Sequence, residues 1–379
     1  MTNIPGLATA APPPETHGLG YERVEPDWAP ITAAEASDVL NGPARLHWHS
    51  PRPLSAAAVV EHDGRRIFLK RHHVTVRTLD GLGEEHGFLR HLRSRGAPVV
   101  DVLATAARGE WTYEVHTLGV GNDLYQDALS WTPFASAAHA RQAGAALARL
   151  HLAARGYDVP ARRAQPLVAS FSIFSSPDAS AALAGYTAHR PALAEALQAA
   201  PLQPDLERWH LPLHAELTPH LGELEPLWTH NDWHASNLLW DDTSETSTVS
   251  TVLDFNLSDR TTAMHDLAVA LERNTFGWLD LPHGQVHVHQ AHMTALLEGY
   301  VSVRPFTGAE AEALPALLPL VNAEFALSEM HYFHEITRSV TNTALARAYF
   351  TDHTRWFTSE EGQGALRHLR ETARELVAR

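Results

Sequence analysis

Residues 229–240 read THNDWHASNLLW. The polar stretch Thr229–Asn237 stands between apolar runs, so it reads as a loop held by packed elements. Within it His230, Asp232 and Asn237 spell H-x-D-x-x-x-x-N. Seventeen residues beyond Asn237, at the end of a β-like run, Asp254 stands in VLDFN. Two carboxylates and an amide oxygen near strand ends form a hard-oxygen set suited to magnesium. With Asn237 and Asp254 as ligands, Asp232 is left to orient or deprotonate a hydroxyl. Taken alone, Asp232 and Asn237 also have a lesser reading as turn and cap residues of a polar loop; Lys70 and Asp254, in order along the chain, weigh against it.

Upstream, one count stands out. Of the 29 lysines and arginines, 28 are arginine and one is lysine, Lys70. A chain that uses arginine wherever a positive charge suffices, yet keeps one lysine, points to a need for a compact ammonium there. Lys70 ends RRIFLK, the return strand of a hairpin that follows SAAAVVEH and the turn pair Asp63-Gly64. Alternation puts Ile67 and Leu69 on one face of that strand and Phe68 and Lys70 on the other. A helix is expected at 83–94, GEEHGFLRHLRS, with Phe88, Leu89 and Leu92 as its apolar stripe and Gly96 and Pro98 at its end. On it Glu85 fits the apolar phase better than Glu84, and an acid there can hold a lysine toward phosphate oxygens. Short strands follow at VVDVLAT and WTYEVHTL. To residue 118 the order is β, β, α, β, β, a small, mostly antiparallel sheet with one helix.

From about residue 135 the texture turns helical: ASAAHARQAGAALARLHLAARG ends at a glycine, and patches such as PALAEALQAA follow. NLLW and TVLDF, separated by DDTSETST, suggest a second small hairpin. Beyond 262 the chain reads as helices, MHDLAVALE and AEALPALLPLVNAEFALSEMHYFHEI among them. The expected class is therefore α+β: a disordered tail over 1–35, a small β-rich lobe over 36–118 and a larger helical lobe over 119–379.

The 379 residues are 44% apolar and 19% charged, enough for a sizeable core and unlike a disordered or fibrous chain. No apolar run reaches the ~18 residues of a membrane helix. The start lacks a basic stretch followed by an apolar one, so no secretory signal is expected. The absence of cysteine excludes disulfides, thiolate zinc sites and a cysteine nucleophile, and a reducing cytoplasm is the default compartment. A formal charge of −15 argues against nucleic-acid binding and mildly suits a cationic acceptor. With 26 histidines, accidental clusters are expected. Pro282 and Gly284 weaken any helix that would align His283 and His287 for a metal, so that cluster, with His289 and His292, is not read as a site. His151 reads as a buried, satisfied histidine and His230 as a brace of its loop.

In order along roughly residues 40–275, these pieces resemble the aminoglycoside phosphotransferase / choline kinase superfamily, which shares the protein-kinase fold. IFLK resembles the family's strand lysine, and GEEHGFLRHLRSRGAPV its glutamate-bearing helix. ALARLH resembles its Leu-His helix end, THNDWHASNLLW its catalytic loop, and VLDFNLSDRTTAMHDLAVAL its metal loop and the helix after it. The resemblance implies a two-lobed protein-kinase-like fold with ATP between the lobes. It implies that Lys70 contacts the α- and β-phosphates and that Glu85 pairs with Lys70. Ser55 would lie in the loop over the phosphates, and Glu114 and His116 at the hinge that meets adenine. Asp232 would be the base or orienter, Asn237 and Asp254 the Mg2+ ligands, and Asp266 the buried carboxylate that braces the catalytic loop together with His230.

The implied activity is ATP- and Mg2+-dependent transfer of the γ-phosphate to a hydroxyl of a small molecule, such as an aminoglycoside, homoserine or a choline-like alcohol. A serine/threonine protein kinase of the stress-response type and a catalytically silent nucleotide-binding protein are the alternatives. No activation segment running from D-F-G to A-P-E is present, which favours the small molecule. Two departures stand out. The expected phosphate loop, Ser50–Ala57 (SPRPLSAA), has no glycine, and Pro51 and Pro53 remove two N–H donors. The metal loop reads D-F-N, with Asn256 expected to take the positive φ that glycine would supply.

Overall fold

Asp63 and Gly64 both take positive φ, 49° and 71°, and close a tight hairpin between β2 (Ala56–His62) and β3 (Arg65–His73). That turn fixes register, so Leu69 lies opposite Ala58 and Lys70 opposite Ala57. The computed structural model describes residues 24–198 and 200–378. The chain is α+β, with an antiparallel sheet in its N-terminal part and helices through its C-terminal part. It divides into two compact units: residues 24–74 with 102–118, and 75–101 with 119–378.

In the first unit, β1 (Ala44–His49), β4 (Val102–Arg108) and β5 (Trp111–Thr117) complete a five-stranded antiparallel sheet of order β1-β2-β3-β5-β4. Ile67 and Leu69 join Ala58, Val60, Tyr113 and Val115 in a core beneath helix α1 (Ala33–Val39), which contributes Ala36 and Val39. Lys70 lies on the opposite face, between Ala57 and Glu114 on the neighbouring strands.

The expected tail over 1–35 needs correction where it is described; residues 1–23 lie outside the described residues. Ile31 is buried in the core just named. Trp28 stacks on His73 at 5.4 Å and meets Trp111 edge-on. Thr32 and Glu35 form a capping box at the start of α1. The Glu35 carboxylate also accepts from Arg71 Nη1 at 2.7 Å and from the Tyr113 hydroxyl at 2.8 Å. Composition had masked these few anchoring residues, because Pro and Ala dominate the stretch before them.

In the second unit, α2 (Leu79–Ser94) starts four residues before its expected position. The Thr78 side chain accepts from Gly81 N there, a cap that overrides the weak helix propensity of the two glycines in its first turns. Helix α3 (Ala137–Ala154) follows, then α4 (Ala179–Ala188), α5 (Pro191–Gln198), α6 (Gln203–Asp205) and α7 (Leu211–Leu217). Two small antiparallel pairs come next: β6 (Pro226–Thr229) with β9 (Asp259–Thr262), and the expected hairpin β7 (Leu238–Trp240) with β8 (Val249–Val252). The C-terminal part is α8 (Ala263–Thr275), α9 (Gln290–Val301), α10 (Gly308–Leu317), α11 (Val321–Tyr332), α12 (Val340–Trp356) and α13 (Glu360–Ala378). Among the described residues no helix is long and apolar enough to cross a membrane. Left-handed Gly284 ends a short 3-10 turn before α9 begins, so His283 and His287 share no helix face.

Helices α3 and α9 touch backbone to backbone at two glycines. A Cβ on Gly144 would sit 2.0 Å from the Leu296 carbonyl oxygen, and one on Gly299 1.9 Å from that of Arg141. Gly185 in α4 meets nothing within 4 Å. Alanine at either kind of site gains about 1 kcal/mol of helix propensity, but overlap with a fixed backbone costs more. Gly299→Ala is therefore expected to lose about 2 kcal/mol net, while Gly185→Ala gains up to about 1 kcal/mol. Urea denaturation midpoints of the two variants should move in opposite directions.

Candidate active site

The loop Thr229–Asn237 joins β6 to β7, and its course is set by α8. Thr262 caps that helix through His265 N, and every residue of the helix is buried. Asp266 in its first turn receives two successive loop amides: His230 N donates to Oδ2 at 2.9 Å and Asn231 N to Oδ1 at 2.8 Å. His151 on α3 donates from Nε2 to the same Oδ2 at 3.0 Å, while its Nδ1 accepts from the Tyr300 hydroxyl at 2.8 Å. Burial alone would raise the Asp266 carboxyl; the His151 hydrogen bond and the neighbouring histidines outweigh it and hold the group below its ordinary range.

Both loop amides can face one carboxylate because Asn231 is left-handed, with φ 59°. Asparagine tolerates that region. Here its side chain is also fixed, with Nδ2 donating to the Ala169 carbonyl and Oδ1 accepting from Thr229 and Thr261. The far end of the loop is held by Asn274, two turns along α8. Its Oδ1 accepts from Ala235 N at 3.0 Å and its Nδ2 donates to the Trp233 carbonyl at 2.8 Å.

Between these clamps stands Asp232. His230 Nδ1 accepts from Asp232 N at 3.2 Å, so its Nε2–H donates to the Leu253 carbonyl at 2.8 Å. Asn237 Nδ2 donates to the Asp232 carboxylate at 3.1 Å and to its carbonyl at 3.0 Å. His234 Nε2 lies 3.6 Å from Asp232 Oδ2, and Arg273 Nη1 3.5 Å from Oδ1. Burial works to raise this carboxyl, but His234, Arg273 and His230 together prevail and hold it well below the usual carboxylate range.

Asp254 comes next to this group through the backbone, because Leu253 N donates to the Asn237 carbonyl at 2.8 Å. The D-F-N segment differs from expectation: its left-handed residue is Asp254, φ 54°, and not Asn256. Non-glycine residues held in that region are strained, and such strain gathers at functional sites. Two buried guanidiniums lock the segment. Arg77 Nη2 and Arg162 Nη1 both donate to the Asn256 carbonyl, at 3.1 and 2.9 Å. Glu85 lies on the buried face of α2, with Arg162 Nη2 3.8 Å away, whereas Glu84 is partly exposed.

The remaining candidates belong to the sheet unit. Lys70 is buried, opposite Glu114 on β5. The Glu114 carboxylate meets His72 Nε2 at 2.8 Å and His116 Nε2 at 3.1 Å. Glu114 and His116 are not at a hinge. They lie within β5, whose backbone pairs with β3 on one edge and β4 on the other. A strand used on both edges has no backbone groups to offer adenine, and the chain leaves this strand only after Thr117. Ser55 ends the β1–β2 connection, which Ser50 N closes onto the Ala57 carbonyl at 2.9 Å.

The structure thus brings together His230, Asp232, Asn237, Asp254 and Asp266 in the helical unit. Sequence reading missed Arg273 and Asn274 there. Their signal was present: seven and eight residues after Asp266 they repeat its helix face.

A family model described as "Phosphotransferase enzyme family" matches residues 55–306. A homoserine kinase of Gluconacetobacter diazotrophicus is 30% identical over 214 residues, 53% of this chain and 55% of that one. A homoserine kinase of Rhodospirillum rubrum is 28% identical over 256 residues, 65% of this chain and 67% of that one. The chain therefore spans little more than half the length of the first of these relatives. Among solved structures, an aminoglycoside-3'-phosphotransferase of type VIII aligns at 19% identity with a TM-score of 0.41, over 69% of this chain and 87% of that one.

Replacing Asp266 by Asn takes the charged acceptor from both loop amides and from His151, and leaves one oxygen where two had accepted. The expected loss is about 2–4 kcal/mol at neutral pH, read from urea denaturation. The folded carboxyl is held below its unfolded value, so its contribution is complete above the ordinary aspartate range and is lost as pH falls through the folded value. The gap between wild type and variant should therefore narrow in acid.

Proposed function

Because this chain belongs to the phosphotransferase enzyme family, we propose that it transfers the γ-phosphoryl group of ATP to a hydroxyl of a small molecule. The acceptor oxygen bonds to the γ-phosphorus as the bond to the β–γ bridging oxygen breaks. ADP leaves with that electron pair, and the hydroxyl proton passes to Asp232 and then to water. The observation that carries this reading is the fixed Asp232 carboxylate, gripped by Asn237 Nδ2 and backed by loop amides anchored on Asp266. A carboxylate held so acidic is a weak base, so its main work is to orient the hydroxyl and take the proton late. That suits phosphoryl transfer, whose loose transition state needs positioning and charge stabilisation more than early deprotonation.

The donor set also fits Mg2+. Asn237 spends its Nδ2 on Asp232, which leaves its amide oxygen as the group to offer a cation. Asp254 is exposed, adjacent through Leu253, and held in one strained conformation. Both are hard oxygen donors. Asn237 and Asp254 would hold the ion, which when bound neutralises charge on the phosphates. Lys70 is proposed to meet the α- and β-phosphates as a compact ammonium. The small-molecule acceptor is supported by the homoserine kinase relatives and by the absence of an A-P-E segment.

An ADP-release screen over homoserine, choline, aminoglycosides and a serine/threonine protein tests the reading. Asp232→Ala should lower turnover about a hundredfold or more while leaving ATP binding nearly intact. Full turnover in that variant removes Asp232 from the chemistry. Lys70→Arg, which keeps the charge but not its shape, should cost about tenfold or more in kcat/KM for ATP, read from initial rates against ATP concentration.

A further inference from the structure

Arg162, in the stretch between α3 and α4, belongs to no sequence motif of the site, yet its side chain has no exposed surface. Its backbone N donates to Asp259 Oδ1 at 2.7 Å, at the start of β9, which fixes the point from which the side chain sets out. The guanidinium then works on two sides. Toward the D-F-N segment, Nη1 donates to the Asn256 carbonyl at 2.9 Å and to the Ser258 carbonyl at 3.2 Å. Toward α2, Nη2 donates to the Gly81 carbonyl at 3.1 Å and lies 3.8 Å from Glu85 Oε2, while Nε lies 3.8 Å from Glu84 Oε2. A planar fork with donors along its edges can hold two elements at once, which a single ammonium cannot.

The segment so held is strained. Asp254 sits at φ 54°, a conformation that a non-glycine residue keeps only where its surroundings over-determine it. Asp254 itself is exposed, so the contacts that fix the turn fall on the residues after it. Phe255 is buried against Phe88 of α2 and the His230 ring, with centroids 5.9 and 4.6 Å away. The Asn256 carbonyl is gripped by Arg162 and by Arg77. Charge adds a second tie. A guanidinium cut off from water needs a counter-charge, and Glu85, whose side chain is 2% exposed, supplies it from α2. Solvent ions screen such a buried pair poorly, so one guanidinium resists displacement of both α2 and the D-F-N segment.

We propose that Arg162 is a positioning residue that couples α2 to the cation site: it holds Asp254 in its ligating conformation while α2 supplies Glu85 as its counter-charge. Cation binding and the placement of α2 are then linked, and each strengthens the other. This role rests on the reading of Asn237 and Asp254 as the Mg2+ ligands and adds the residue that keeps their site assembled.

Mn2+ is the probe, titrated into the full chain with saturating ADP. Water proton relaxation follows it without turnover, because the slowly tumbling ternary complex enhances relaxation and free Mn–ADP does not. Arg162→Met and Glu85→Gln should each weaken Mn2+ binding about tenfold or more. The double variant should bind no worse than the poorer single one, since both remove the same tie. Arg163 is exposed and pairs with Asp80 and Glu84 of α2; Arg163→Met should bind Mn2+ as wild type does. An affinity within about twofold of wild type in either single variant overturns the coupling. So do losses that add in the double variant, which would show that Glu85 acts through another partner. If Arg162→Met fails to fold, Arg162→Lys replaces it: the charge is kept, one side of the fork is lost, and the same drop is expected. A wild-type chain that forms no ternary complex sinks Asn237 and Asp254 as ligands, and the coupling with them. A ternary complex that the variants leave intact sinks the coupling alone and keeps the phosphotransfer reading.

Discussion

One buried carboxylate organises the helical unit. Asp266 has no exposed surface, yet it stays ionised because two backbone amides and a histidine supply what water would otherwise give. The exchange works in both directions. The left-handed turn at Asn231 points its amides inward, where without that acceptor they would be buried and unmet. Helix α8 then acts as a ruler along the loop: Asp266 fixes its start, Arg273 meets Asp232, and Asn274 fixes its end. A rigid helix buried on all sides places three polar side chains with a precision that an exposed loop could not reach by itself.

Much of this was readable from residue types and spacing. The turn pair at Asp63-Gly64, the strand that ends in Lys70, the glycine stops after α2 and α3, and the small hairpin around DDTSETST all follow local rules. Turn chemistry and short-range periodicity are properties of neighbouring residues, so sequence carries them directly. The misses share a different cause. The start of α2 was hidden because glycines weaken a helix whose cap, Thr78, outweighs them. Segment 27–35 looked like a tail because its anchors are three residues, Trp28, Ile31 and Glu35, whose partners lie tens of residues away. Glu114 and His116 were placed at a hinge by analogy of order along the chain. Only the pairing of β5 on both edges shows that their backbone is already committed.

The candidate site was legible as a set of residues and not as an electrostatic environment. H-x-D-x-x-x-x-N and the later aspartate identify which groups matter. They say nothing of the balance around Asp232, where burial pulls one way and His234, Arg273 and His230 the other. Nor do they reveal that Arg77 and Arg162 converge on a single carbonyl and hold the D-F-N segment in place. Such convergence depends on long-range contacts made by side chains that look, in one dimension, like any of the other arginines.

The solitary lysine has a consequence of another kind. A protease specific for lysine has one peptide bond to attack in the whole chain, that between Lys70 and Arg71. That bond lies inside β3, hydrogen-bonded to β2 on one side and β5 on the other. A strand must leave its sheet to enter a protease cleft. Scission under native conditions therefore reports how often the interior of this one sheet opens, and the helices can come and go unseen.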